Sequence, residues 1–219
     1  MCGRFAMTAT TEDIENLLPE LGPDAEIEAR YNIAPTQNIA AIQGDGSGKI
    51  RKLRWGLVPF WADDPSIGNR MINARGETLN EKPSFKKLIK SRRCLIIATG
   101  FYEWKKSGKE KIPYYIKMKD GKPFTFAGLW DVWNKGEEPL TTATIITTVP
   151  NEMISDIHNR MPAIIMPEHR ELWLSTETVS IEMLLAAIGP YPADEMEAYP
   201  VSKAVNNPRN DYPELLNNL

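Results

Sequence analysis

Five strand-like stretches follow one another between Arg93 and Val149: RCLIIAT, FYEWKK, KIPYYIKM, FTFAGLW and TTATIITTV. Their β-branched and aromatic residues suit a pleated, half-buried surface. The breaks between them, SGKE and KDGKP, place glycine where a tight turn needs it. Asp120-Gly121 is a hairpin signal, so FTFAGLW is expected to fold back from KIPYYIKM. A chain spending this much of its length on short strands has little left for long helices. The other segments agree. RYNIAPTQNIAAIQ reads as extended, with Pro35 restricting the residue before it. GDGSG turns into a second run, KIRKLRWGLV, and MPAIIM is a further strand.

Helical stretches are few and short. TTEDIENLL starts at Thr10 or Thr11 as cap, with acids in its first turn. EKPSFKKLIKSRR carries Pro83 early and basic residues late. PEHRELWL and VSIEMLLAAIG complete the set; PNEMISDIHNR is a short helix or a loop, and the tail reads as mostly irregular. Strands joined by turns, with peripheral helices, predict an α+β, β-rich fold. Strand–helix alternation is too weak for a doubly wound sheet. No linker or composition shift divides the chain, so residues 1–219 are read as a single domain.

Composition narrows the function classes. Apolar residues make up 42% of the chain and charged ones 25%, ordinary values for a soluble globular protein. No apolar run is long enough to span a bilayer and no signal peptide is recognisable, so no membrane partner is expected. Two cysteines do not make a disulfide framework, and the cytoplasm is the expected compartment, with nucleoid association if the source is bacterial. Two cysteines and two histidines at these spacings match no zinc pattern, and neither a P-loop nor a GxGxxG occurs, so no metal or cofactor is expected. Net charge is −3, but residues 49–111 hold sixteen Lys/Arg against six Asp/Glu. Acids concentrate in residues 12–28 and 194–197. A basic middle on a near-neutral chain suits a polyanion, or simply a set of solvated lysines.

The chain opens MCGRF. Cysteine is small, so an aminopeptidase is expected to remove Met1, and Cys2 then carries both an α-amine and a thiol. The amine titrates at about 7.7–8.0 and the thiol at about 8.5, so part of the amine is free at neutral pH. A 1,2-aminothiol of this kind forms an imine with an aldehyde and closes it to a thiazolidine ring. Three further segments carry candidate chemistry. GNRMINARGET mixes Asn69, Asn73, Arg70 and Arg75, residues that orient polar ligands and fork onto phosphate. GFYEWKK sets Glu103 between aromatics, where an apolar setting raises a carboxyl pKa towards acid–base use. SDIHNRMP brings His158, a proton-transfer residue near neutral pH, with Arg160 two places on. RWGLVPFWAD offers Trp55, expected buried, and Trp61, expected exposed for stacking on bases. Each segment alone also has an ordinary reading, as a frayed terminus, a capped loop, an exposed strand Glu or a helix-terminal His. His169 reads as an exposed helix residue.

Together, MCGRF, RYNIAPTQ, RWGLVPFWA, INARGET, KPSFKKLIKSRRCLI, GFYEWKK, FAGLWD, TIITT, IHNRMP and VNNPRND occur in an order that resembles the SOS-response-associated peptidase (SRAP) family of abasic-site processing proteins. The resemblance runs from Cys2 to the RND near the C-terminus. It implies a β-rich pseudo-barrel acting, as a monomer, on single-stranded DNA that contains abasic sites. It implies that Cys2 crosslinks to the ring-opened sugar as a thiazolidine, shielding the lesion from strand cleavage, with self-removal of Met1 and self-reversal. Asn73, Glu103 and His158 match the remaining catalytic positions. Arg4, Arg75 and Arg160 match basic positions expected near phosphates, and Pro35 and Trp61 match positions expected to wedge or stack beside the lesion. Ala62 stands where some members carry a second Trp, and no clamp-recruiting extension is expected after VNNPRND. Two other readings compete: a thiol peptidase using Cys2 and His158, and a non-catalytic single-stranded nucleic-acid-binding module.

Overall fold

The computed structural model describes residues 2–19 and 27–219; Met1 and part of the 12–28 acidic cluster lie outside the described residues. Twelve strands occur among the described residues: β1 (Phe5–Met7), β2 (Arg30–Ile33), β3 (Asn38–Gln43), β4 (Ile50–Trp55), β5 (Asn73–Arg75), β6 (Arg93–Ala98), β7 (Gly100–Ser107), β8 (Glu110–Met118), β9 (Phe124–Trp133), β10 (Leu140–Thr148), β11 (Met161–Pro162) and β12 (Met196–Pro200). They form two sheets. One closes on itself in the order β4, β3, β6, β9, β10, with β10 returning to β4 in parallel as a five-stranded barrel. Short β5 and β11 add to β10. The other sheet is antiparallel in the order β12, β8, β7, β1, β2.

Short turns carry the chain from one sheet to the other. Thr99 alone separates β6 in the barrel from β7 in the open sheet. Pro35 and Thr36 turn β2 into β3, with Gln37 N–H donating to the Ala34 carbonyl at 3.2 Å. Thr36 adopts φ 73°, where glycine or asparagine usually sits in such a turn. The Asp120-Gly121 turn does not make the expected hairpin. It reverses the chain locally, with Gly121 N–H donating to Met118 O at 3.1 Å, yet β9 leaves for the barrel and pairs with β6 and β10. The edge of β8 is taken instead by β12, from the tail read as irregular. Turn chemistry fixes a reversal; it does not choose the partner strand.

Helices are short, as expected. α1 (Thr11–Leu17) starts at Thr10, whose side chain accepts from Asp13 N–H while the Asp13 carboxylate accepts from Thr10 N–H. The basic helical stretch divides into α2 (Pro83–Lys86) and α3 (Leu88–Ser91). α4 (Glu152–Ser155), α5 (Arg170–Leu174) and α6 (Ile181–Ala186) follow. Arg93 shows why not every basic residue of the middle segment faces solvent. It is buried, and its guanidinium donates to the carbonyls of Ile89, Lys90, Trp173 and Ser175, closing the ends of α3 and α5.

The core lies between the sheets. Phe5 of β1 meets Trp55 and Phe126 edge-on, at 5.3 and 5.6 Å between ring centres. A smaller core on the other face of the open sheet gathers Ala6, Tyr102, Tyr115, Val201, Val205 and Leu215. β7 therefore buries both faces, Phe101 in one core and Tyr102 in the other, as strand alternation requires.

Candidate active site

The N-terminal strand is placed in the middle of the open sheet rather than at its edge. β1 pairs with β2 on one side and β7 on the other. Phe5 lies opposite Phe101, and Tyr102 N–H donates to Arg4 O at 2.9 Å. Two residues beyond Phe101 on β7 comes Glu103, and two residues back from Arg4 comes Cys2. Cys2 is fully buried, and Glu103 is 2% exposed. Burial, and then the nearby Glu103 charge, push the Cys2 thiol well above its ordinary pKa. Burial likewise raises the Glu103 carboxyl, while His158 pulls it back. These mutual influences put Cys2, Glu103 and His158 in one electrostatic neighbourhood.

Asn73 joins them from β5. Its Nδ2 donates to the Cys2 carbonyl at 2.8 Å, and its buried Oδ1 has no hydrogen-bond partner among the described residues. β5 is held in parallel register on β10, Asn73 opposite Ile145, so the amide is aimed by a strand and not by a loose loop. His158 follows α4, which Asn151 caps by accepting from Ile154 N–H at 2.9 Å. The His158 backbone N–H donates to Ile154 O, and its ring Nδ1 accepts from Arg160 N–H at 3.1 Å. Glu103 and His158 line a cleft of about 680 Å³ together with Trp104, Lys106, Lys111 and Asn206.

The five expected DNA-contacting residues fall into three places. Arg75 and Arg160 meet at β10. Arg75 is opposite Thr147 in register, and Arg160 donates to Thr147 O at 2.6 Å. The Arg160 guanidinium also forks onto Glu77, at 2.5 and 3.0 Å, which holds the Glu77 carboxyl below the usual range. Arg75 is exposed. Pro35 begins a turn against the end of β4, and Trp61 lies in the loop that follows β4. Pro35 is half-buried and the turn it begins rests on Trp55 O through Thr36 N–H at 2.8 Å. Trp55 is buried and Trp61 is 45% exposed, beside Phe60 at 54%. Arg4 is turned the other way. It donates to Asn32 Oδ1 and Val205 O, at 2.8 and 2.7 Å, and so fastens β1 to the C-terminal segment.

Sequence reasoning did not single out Lys106, Lys111 or Asn206 as site residues. Lys106 and Lys111 belong to a recognisable basic hairpin, but their shared position depends on strand register. Asn206 arrives from the far end of the chain. His169, read as exposed, is half-buried at the start of α5. Among the described residues no group of three or more His, Cys, Asp or Glu could hold a metal ion, and no helix is long and apolar enough to cross a membrane.

Fold and site define a β-barrel protein in which buried Cys2 meets a buried carboxyl, Glu103, and two half-buried groups, the Asn73 amide and the His158 imidazole. The chain belongs to the SOS response associated peptidase (SRAP) family, whose model matches residues 1–208. It is 50% identical to the abasic site processing protein YoqW of Bacillus subtilis over 221 residues, covering 99% of each chain. It is 48% identical to YoaM of the same organism, named likewise, covering 99% of this chain and 97% of that one. A crystal structure of a Bacteroides thetaiotaomicron protein superposes with a TM-score of 0.89 at 29% identity, covering 100% of both chains.

Proposed function

We propose that this protein processes abasic sites in single-stranded DNA by forming a covalent thiazolidine between Cys2, once Met1 is removed, and the ring-opened sugar. The observation that carries the reading is the convergence of Cys2, Asn73, Glu103 and His158, from the segment before β1, from β5, from β7 and from the segment after α4, on one cluster. Relatives named for abasic-site processing support the substrate class.

The free Cys2 amine attacks the C1′ aldehyde, and its proton passes to the aldehyde oxygen to give a carbinolamine. Loss of water leaves an imine. The thiol sulfur then adds to the imine carbon and the thiol proton moves to nitrogen, so the ring forms with one water lost overall. Glu103, raised towards its neutral form, is suited to donate the proton that expels water and, on reversal, to take a proton from the water that adds back. The His158 ring is suited to hold the sugar oxygen, and Asn73 fixes the Cys2 backbone so that amine and sulfur face the same carbon. Closure matters because an open imine acidifies the neighbouring C2′ proton and invites strand cleavage. A thiolate peptidase is less well served by this site. It needs a thiol of lowered pKa, and burial raises that of Cys2.

Protein with a free Cys2 should form a denaturant-stable adduct with an abasic oligonucleotide, and Cys2→Ala should form none. Imine and thiazolidine are isomers, so borohydride separates them: it adds two hydrogens to an imine and leaves the ring unchanged. No adduct from wild-type protein with a verified Cys2 terminus sinks the reading.

A further inference from the structure

We propose that Lys106 and Lys111 form a phosphodiester-binding subsite at the mouth of the cleft that holds Glu103 and His158. The proposal rests on the reading above for the identity of the strand, single-stranded DNA.

The two lysines lie directly opposite one another in the β7–β8 register. Like charges so placed destabilise a hairpin. Nothing in the hairpin relieves them: Glu110, the nearby acid, is ion-paired with Lys203 at 3.2 Å, and neither Lys106 nor Lys111 has an ionic partner among the described residues. Both are exposed and both line the cleft. Asn206 stands beside them with a fixed orientation. The Trp104 indole, which can only donate, gives its N–H to Asn206 Oδ1 at 2.8 Å. The Asn206 NH₂ is thereby left as a donor next to the lysines. Glu103 is the one carboxyl lining this cleft, and burial pushes it towards the uncharged form, so it opposes a bound anion little. Two ammonium groups and an amide donor around an open cleft match a phosphate oxygen set. A strand held there by one phosphate runs past the cleft that Glu103 and His158 also line. The cross-strand repulsion is relieved when the phosphate sits between the lysines.

Lys106→Glu and the double variant Lys106→Gln/Lys111→Gln provide the test, using full-length protein and an undamaged single-stranded oligonucleotide. Lys106→Glu turns a repulsive cross-strand pair into an attractive one, so it should raise Tm while weakening DNA binding. A purely structural role would move neither binding nor its salt dependence. The double Gln variant should flatten the plot of log affinity against log salt by about 0.7 for each phosphate it no longer neutralises. Both effects should be the same with and without a terminal phosphate on the oligonucleotide. Unchanged affinity and slope in both variants overturn the subsite, as does an effect confined to oligonucleotides with a terminal phosphate. The outcome is separable from the abasic-site reading. Lysine-dependent binding without any adduct to abasic DNA would leave the subsite standing and the crosslinking reading refuted. Normal adduct yield with lysine-independent binding would do the reverse.

Discussion

Glu103 is the residue on which stability and chemistry pull in opposite directions. A carboxyl 2% exposed is costly to ionise, and its pKa is raised above the ordinary value, first by burial, with His158 opposing. The folded chain therefore holds this proton at pH values where the unfolded chain has released it. Stability falls as pH rises from the unfolded value of about 4.3 through the raised folded one. Glu103→Gln keeps the shape and cannot ionise. The variant should match wild type in Tm below about pH 4 and exceed it increasingly above, a gain of about 1 kcal/mol reading as roughly 2–4 °C for a domain of this size. Its adduct-forming rate should fall by about 10²–10⁴, the usual worth of a positioned acid–base group. Thermal melts from about pH 3 to about pH 8, either side of the ordinary carboxyl range, beside single-turnover crosslinking check both arms. A variant that is less stable at every pH refutes the account of Glu103 as a strained acid.

Among the elements, the loop between β4 and the 3₁₀ turn at Pro65–Arg70 shows how an exposed aromatic pair is kept rigid. Gly56 opens it at φ 123°, and a Cβ there would stand 2.5 Å from Gly68 O, so the two backbones can touch only as glycines. Buried Asp131 of β9 accepts from Phe60 N–H at 2.9 Å and from Arg92, which lies 5.0 Å over the Trp130 ring. Trp133 Nε1 donates to Ala62 O at 2.7 Å and Lys135 Nζ to Trp61 O at 2.8 Å. Trp61→Ala should leave Tm unchanged and weaken single-strand binding by about 1–3 kcal/mol if one base stacks there. Asp131→Ala should lower stability by about 1–3 kcal/mol, since Phe60 N–H and Arg92 lose a buried acceptor, and should weaken binding as well. Calorimetry and fluorescence titration of both variants separate contact from support; a binding loss for Trp61→Ala with no loss for Asp131→Ala would show that the clamp is irrelevant. Trp61 was legible in the sequence because an exposed Trp in a Pro-rich turn has little core to enter, but its clamp was not, because Asp131 and Trp133 come from a strand far along the chain. The same limit explains the misread Asp120-Gly121 turn and the unread β12: MEAYP is short, half-exposed and ends in proline, and only the free edge of β8 makes it a strand. The helix cap, by contrast, is settled within four residues and was readable to one of two neighbours, Thr10 or Thr11, of which the structure uses Thr10.

At the scale of the whole molecule, the decisive arrangement is that Cys2, the first described residue, lies in the interior. Strand β1 is flanked by β2 and β7, its Phe5 is a centre of the aromatic core, and Arg4 ties it to the C-terminal segment through Asn32 and Val205. The Asn32 amide in turn donates to Asn207 O and Asn210 O, at 3.1 and 2.7 Å, so both ends of the chain close over one another. The backbone amides of β1 should accordingly exchange only on global unfolding, a property of core strands. Such placement fixes Cys2 against Asn73, and it makes the proposed chemistry sensitive to a single peptide bond. A chain extended before Cys2 has an amide where the proposed reaction needs a free amine, whatever the state of its thiol. Fusing a removable leader to Cys2 should therefore give a protein that titrates its thiols normally once unfolded and yields no adduct with an abasic oligonucleotide. Proteolysis that leaves Cys2 as the first residue should restore the adduct, while acetylating the freed amine should abolish it again. A thiol peptidase would respond to thiol alkylation and be indifferent to acetylation, so equal adduct yields before and after cleavage would show that the amine takes no part.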